Sequence, residues 1–416
     1  MIRILQAGDP EAARLRAPAA ASVAPAVAAI IDDVRARGDE AVRELTERFD
    51  GVRLDTLFLA EERWNQLAAH CPPEVRQALE RAHRRVRAFH APQLPGSYEL
   101  RLERGGVLRS RTLPLLRAAC YVPGGRAAYP STVIMTATVA RLAGVPEVIV
   151  VTPPRRDGSV PAEVAAAARI AGATRVLLAG GAQAVAALAL GTASVERADV
   201  IVGPGNAYVT EAKRQLAGQV RIDSLAGPSE VAIVADASAD PATVAADLIA
   251  QAEHDPLALA VLITPDPQLA RAVVEALARE AVGPVAAEAL RARGAAVVTR
   301  DLDEALAFAD QLAPEHLQLM LRDAAAAVSR VPRAAAVFVG RFSPVPVGDY
   351  LAGPNHTLPT SGTARFASPL GVADFVRRQN VIEYGAEQLA ADAKDIATLA
   401  RAEGLPAHAR AVEIKR

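Results

Sequence analysis

The chain has 416 residues, 46 of them Lys or Arg against 47 Asp or Glu, for a formal net charge of −1. So even a balance offers no basic face to nucleic acid and no attraction to an anionic membrane surface. Hydrophobic residues make up 51% of the chain, but charges interrupt every apolar run before membrane-spanning length. The length suits two or three domains with ample core. The opening MIRILQAGDPEAARLRAP lacks the apolar stretch of a secretory signal. Cys71 and Cys120 are too few for a disulfide framework and fit a reducing compartment. The expectation is a soluble, cytoplasmic, globular protein.

Residues 10–93 read as helical, since AVAAIIDDVRARGDEAVRELTERFDG and EERWNQLAAHCPPEVRQALERAHRRVRAFH repeat apolar residues at three- and four-residue spacing. The arginine-rich YELRLERGGVLRSRTLPL alternates like a small β element or arm. From about residue 118, short apolar runs (AACYV, EVIVVTP, RVLLAGG, ADVIVGPG, EVAIVAD, LALAVLITP, AAVVT, AAAVFVG) alternate with helical segments. Continuous apolar strands separated by helices predict parallel sheet covered on both faces. Eight such runs exceed one mononucleotide-binding half, so two α/β lobes are expected, with a seam near residues 224–230. The resulting division is an N-terminal helical region, 1–120, completing the first lobe; a lobe over 121–229; a second over 230–365; and a helical tail, 366–416. The tail segment VADFVRRQNVIEYGAEQLAADAKDIATLARAEG is charged and lacks a strand partner in this reading.

Two glycine turns stand where a strand hands over to a helix. Gly180-Gly181-Ala182-Gln183 follows RVLLA, and Gly203-Pro204-Gly205-Asn206 follows ADVIV. Open α/β sheets bind ligands at such places, and helix N-termini favour phosphate. Neither turn is a G-x-G-x-x-G, so each is open to a structural reading as well as to non-standard dinucleotide binding.

Of seven histidines, His70, His83 and His90 lie beside arginines on the N-terminal helices and read as solvated or packing residues. His254 follows Gln251 by three positions, a helical spacing that puts both side chains on one face. A polar helix end and half of a metal site both fit that pair. Glu315 and His316, in LAPEHLQL, set a carboxylate beside a general base. His356 lies in GDYLAGPNHTLPT, seven residues after Asp349, and His408 lies near the end of the tail. Two histidines, an aspartate and an amide oxygen would make a workable zinc site with an open position. Cys71, before Pro-Pro, and Cys120, in an apolar strand, read as buried structural cysteines.

YVPGGRAAYPSTVIMTATVARLAGV, GGAQAVAALALGT, VGPGNAYVTEAKRQL, IDSLAGPSEVAIVAD, QAEHDP, LAPEHLQL and GDYLAGPNHTLPT occur in this order. Together they closely resemble the histidinol dehydrogenase family from about residue 20 to the end. The resemblance implies zinc-dependent oxidation of L-histidinol to L-histidine, the last step of histidine biosynthesis. Two NAD⁺ would be consumed, through an enzyme-held histidinaldehyde. It implies one Zn²⁺ per subunit on Gln251, His254, Asp349 and His408, with Glu315 and His316 as the acid–base pair. Ser229, His356 and Glu403, together with His316 and the four metal ligands, would meet the substrate. Tyr121, Gln183 and Asn206 would meet the nucleotide. The implied fold resembles that of aldehyde dehydrogenases, with two related incomplete-Rossmann lobes in an intertwined homodimer whose tails cross, so that His408 would complete the partner's site. The chain departs from the family's usual residues at Pro354 and Thr357 and by the proline in SPLGVADF, at no ligand or base. Two competing readings are a thiol-dependent aldehyde dehydrogenase using Cys120 and a non-catalytic protein that binds zinc or a nucleotide.

Overall fold

A computed structural model describes residues 2–15, 23–124 and 128–415. Gly125, Arg126 and Ala127 of the YVPGGRAAYPSTV motif lie outside the described residues. In chain order the strands are β1 (Arg3–Gln6), β2 (Tyr98–Arg101), β3 (Val107–Pro114), β4 (Arg117–Tyr121), β5 (Glu147–Thr152), β6 (Arg175–Leu178) and β7 (Val200–Val202). They continue as β8 (Arg221–Ile222), β9 (Glu230–Ala235), β10 (Leu259–Thr264), β11 (Ala295–Val298), β12 (His316–Met320), β13 (Ala336–Val339) and β14 (Val376–Glu383).

Strands buried on both faces need helices on both sides, and the two large sheets follow that requirement. The first runs β6-β5-β4-β7-β8 with every pairing parallel. The second runs β1-β11-β10-β9-β12-β13, again all parallel. Counted along the chain within each lobe, both have the order third-second-first-fourth-fifth once β1 is set aside. That is a doubly wound order short of its sixth strand, so the two expected lobes are related in topology. The N-terminal strand β1 pairs with β11 and belongs to the second lobe, not to the first, as the sequence reading has it.

The helices between Ala24 and His90 pack on the first lobe, sharing one core with its sheet through Val27, Ile31, Trp64 and Val86. Trp64 docks them: its indole N–H donates to Ala165 O at 2.8 Å, and the Arg169 guanidinium lies 3.6 Å from its ring centroid. The alanine-rich helices Ala162–Ile170 and Gly181–Leu190 are buried nearly all round, as their lack of a polar face dictates.

The third sheet, β14-β3-β2, is antiparallel. It realises the small β element expected around residue 100, but its strand β14 replaces helix at 376–383. VRRQNVIE has no apolar face to announce a strand, and β3 supplies the pairing along its whole length. Helices Ala386–Ala402 and Pro406–Glu413 then fold back on one another around Ala397, Ala400 and Ala409.

The lobes meet unequally. The first presents the carboxyl ends of its strands, where Tyr121 closes β4, and the second presents the amino ends of β9 and β12, where Glu230 and His316 begin. Residues 355–361 join them. Asn355 Nδ2 donates to Met135 O at 2.8 Å in the first lobe, while Gly227 N–H of the second donates to Thr360 Oγ1 at 2.5 Å.

Candidate active site

On the first lobe, the turn after β7 is built for close approach. Gly203 has φ +109°, and a Cβ there would lie 2.1 Å from Tyr121 O, so only glycine lets β7 turn against the end of β4. A buried ion pair holds the turn from below. Lys213 Nζ donates to Gly203 O at 2.6 Å and meets Asp223 Oδ1 at 2.7 Å, and Gly203 N–H donates to Asp223 Oδ2 at 2.7 Å. Asn206 caps helix Ala207–Leu216, its Oδ1 accepting from the N–H groups of Tyr208 and Val209. That cap commits its carbonyl end and leaves only its amide NH₂ for a ligand. The Tyr121 hydroxyl accepts from Gly181 N–H at 3.0 Å, and burial pushes its pKa up to about 12. Gln183 is buried over the same helix start, beside Gly181. The structure thus brings Tyr121 and Gln183 to one glycine turn and puts Asn206 on the neighbouring one.

On the second lobe, Glu315 and His316 are buried at the mouth of β12. His316 Nδ1 lies 2.9 Å from Glu230 O, a carbonyl that can only accept, so Nδ1 carries the proton and Nε2 is left for chemistry. Nε2 is buried with no hydrogen-bond partner and faces Asp349 Oδ1 at 3.7 Å. Burial alone would depress this imidazole, but the carboxylates of Glu315 and Asp349 outweigh it and hold the ring above its ordinary range. Burial likewise pushes Asp349 up, and His316, with His356 and His254 behind it, more than reverses the effect. Gly348 makes the approach possible, since a Cβ there would lie 2.7 Å from the Phe338 ring of β13, against which the short helix Val345–Tyr350 lies.

His356 is oriented at both nitrogens. Nδ1 donates to Asp349 O at 2.9 Å, and Nε2 lies 3.4 Å from Thr132 Oγ1 on the first turn of helix Pro130–Leu142. Burial lowers its pKa and keeps it neutral at pH 7. Ser229, half-buried, immediately precedes β9.

Gln251 ends its helix as expected, but His254 does not stack on it as a helical neighbour. The helix stops at Ala252, and His254 N–H instead closes a looser turn onto Gln251 O at 3.3 Å. The Gln251 side chain is buried with Nε2 unpartnered, which is costly unless something else meets the amide. Among the described residues no three His, Cys, Asp or Glu side chains converge as a metal cluster. Gln251, His254 and Asp349 therefore offer one amide, one imidazole and one carboxylate, which fits a zinc ion only if a further ligand arrives. His408 and Glu403 are exposed on the tail, and His408 is not among the histidines that bear on Asp349.

The cysteines are structural in setting. Cys120 is fully buried, and burial pushes its thiol up to about 12, the opposite of an activated nucleophile. Three features escaped the sequence reading. Glu230 interlocks with Glu315; its signal was a lone carboxylate opening an apolar strand. Thr132 orients His356. Gln318 Nε2 donates to the buried Asp247 Oδ2 at 2.8 Å behind the site.

The histidinol dehydrogenase family model matches residues 14–416. A histidinol dehydrogenase of Geobacillus kaustophilus is 46% identical over 394 residues, 94% of this chain and 93% of that protein. One from Lactiplantibacillus plantarum is 47% identical over 399 residues, covering 94% and 92%. The crystal structure of histidinol dehydrogenase from Elizabethkingia anophelis superposes with a TM-score of 0.91 at 30% identity, covering 100% of this chain and 98% of that one. An indole-3-acetaldehyde dehydrogenase structure in apo form reaches a TM-score of 0.50 at 15% identity, covering 87% and 88%, a distant likeness of fold alone. With its full-length match and its buried glutamate–histidine pair, the chain belongs to the histidinol dehydrogenase family.

Proposed function

We propose that the protein oxidises L-histidinol to L-histidine, the last step of histidine biosynthesis, reducing two NAD⁺ and holding histidinaldehyde between the two oxidations. The observation that carries this reading is His316 Nε2, buried and without a hydrogen-bond partner, the nitrogen left over once Nδ1–H is bound to Glu230 O. A base so placed takes the alcohol proton as hydride leaves the same carbon for the nicotinamide. Water then adds to the aldehyde, and the hydrate loses a second hydride and a proton to give the carboxylic acid, which gives up a further proton to become the carboxylate. Glu315, beside His316, activates that water, and His316 serves as base again.

Gln251, His254 and Asp349 would hold a zinc ion, with the partner subunit's His408 as fourth ligand. Zinc bound there would supply an anchor for the imidazole and amino nitrogens of histidinol, fixing the reacting carbon. With Asp349 so engaged, one of the two carboxylates that keep His316 protonated is withdrawn, which suits the ring to act as base. Ser229, His356 and the tail's Glu403 would line the substrate pocket. Tyr121, Gln183 and Asn206 would take the nucleotide across the first lobe's strand ends, where its order reverses. The acting form would be a cytoplasmic homodimer.

The test follows absorbance of NADH with L-histidinol before and after chelation. NADH should form, stop when the metal is removed and return with added zinc. No NADH from histidinol at any metal loading would overturn the reading, and activity untouched by thorough chelation would remove the metal from it.

A further inference from the structure

Glu230 opens β9, a strand whose six residues EVAIVA are all buried. A carboxylate in that row is out of place unless it is used. Its two side-chain oxygens reach two different segments. Oε1 accepts from Ser361 N–H at 3.1 Å, and Oε2 lies 3.4 Å from Glu315 N–H. Glu315 returns the contact, its Oε2 accepting from Glu230 N–H at 2.8 Å. The Glu230 carbonyl meanwhile holds His316 Nδ1.

We propose that Glu230 is a positioning residue that serves the aldehyde-oxidising half of the reaction through its side chain and both halves through its backbone. The inference rests on the roles given above to Glu315 and His316, and the division follows from which atom makes which bond. The carboxylate reaches Glu315 and the turn at Ser361, a residue held at φ +56° without being glycine. That turn is strapped to the same loop by Gly227 N–H to Thr360 Oγ1. Of the atoms of Glu230 the imidazole meets only the carbonyl, which any residue at position 230 would supply, while Glu315 Oε2 lies 3.5 Å from Nδ1. Changing the side chain therefore loosens Glu315, needed when water attacks the aldehyde, and leaves in place the bond that holds the base of the first oxidation to the Glu230 carbonyl.

Glu230→Gln keeps the size but replaces one acceptor oxygen with an NH₂ that must face a backbone N–H donor. The holoenzyme variant is compared with wild type and Glu315→Gln in single turnovers from L-histidinol and from histidinaldehyde, each with excess NAD⁺. Zinc content and hydrogen exchange are measured alongside. Expected are a first NADH formed within about threefold of wild type and a second slowed by about tenfold or more. Zinc content should be unchanged, with faster exchange confined to 313–317 and 359–363. Equal slowing of both steps, or an unchanged second step while Glu315→Gln slows it, overturns the proposal. A normal second step in Glu315→Gln would instead sink the role given to Glu315. If Glu230→Gln does not fold, Glu230→Asp, which pulls the carboxylate back from both partners, is read the same way. Failure of both to fold would make the residue purely structural and end the proposal.

Discussion

Asp50 closes the helix Asp39–Asp50 with its Oδ2 buried and without a partner. Burial raises its pKa from 3.8 to about 6, with no cation to offset it. The sign of the consequence follows from linkage. A carboxyl that binds its proton more tightly when folded costs nothing below about pH 4, where both states are protonated. The cost grows as pH rises and is complete above about pH 6. Asp50→Asn removes that cost and should stabilise the protein at pH 8 by about 1 kcal/mol, allowing for partial exposure. Urea midpoints at pH 4.5 and pH 8 check this, and an equal shift at both would contradict it. Single residues also show where sequence reading stops. Glu315 and His316 stood out because an acid and a base adjoin in an apolar context. Glu230 stands in the motif IDSLAGPSEVAIVAD, but its partners lie 85 and 131 positions away, and no local pattern encodes a contact made by sheet register.

At the scale of elements, the turn after β7 rests on a buried ion pair whose contribution can be measured. Lys213 and Asp223 are 3% and 5% exposed and share Gly203 between them. Lys213→Met strands an ionised Asp223, which should cost about 3–5 kcal/mol. Adding Asp223→Asn removes the stranded charge while keeping an acceptor for Gly203 N–H, so the double variant should regain part of the loss. Thermal midpoints of the two decide it, and a double variant less stable than Lys213→Met would refute the pairing. Most of the strands that sequence reading found are buried on both faces, where composition alone declares them, although β13, found as AAAVFVG, is only half-buried. Those it missed had no such declaration. β12 alternates polar and apolar in HLQLM because its polar positions serve the site. β14 is exposed along both faces and exists by pairing with β3. β1 is four residues long and pairs with a strand nearly three hundred residues on.

At the scale of the whole molecule, large apolar side chains stand exposed together on the antiparallel sheet and the tail. Tyr98 and Leu100 on β2, Ile382 on β14, Leu399 on helix Ala386–Ala402 and Ile414 just past the last helix are 56–73% exposed. They lie on the antiparallel sheet and the helical pair that follows it, a stretch with little core of its own. The proposed zinc ligands Gln251, His254 and Asp349 would need a fourth, and His408 is exposed on that same tail. An isologous dimer in which the tails exchange would answer both needs at once, covering the apolar residues and bringing His408 to the partner's site. Subunit mixing separates this from a tail that folds back on its own chain. A His408→Asn homodimer and a Glu315→Gln/His316→Asn homodimer should each be nearly inactive. In a mixed dimer with crossed tails, one of the two sites has both an intact Glu315–His316 pair and an intact His408. Random mixing in equal amounts makes half the dimers mixed, so about one quarter of wild-type activity should return. With tails acting within their own chain, no site in any dimer is whole. The mixture would then stay as inactive as its parents, even with heterodimers verified by mass.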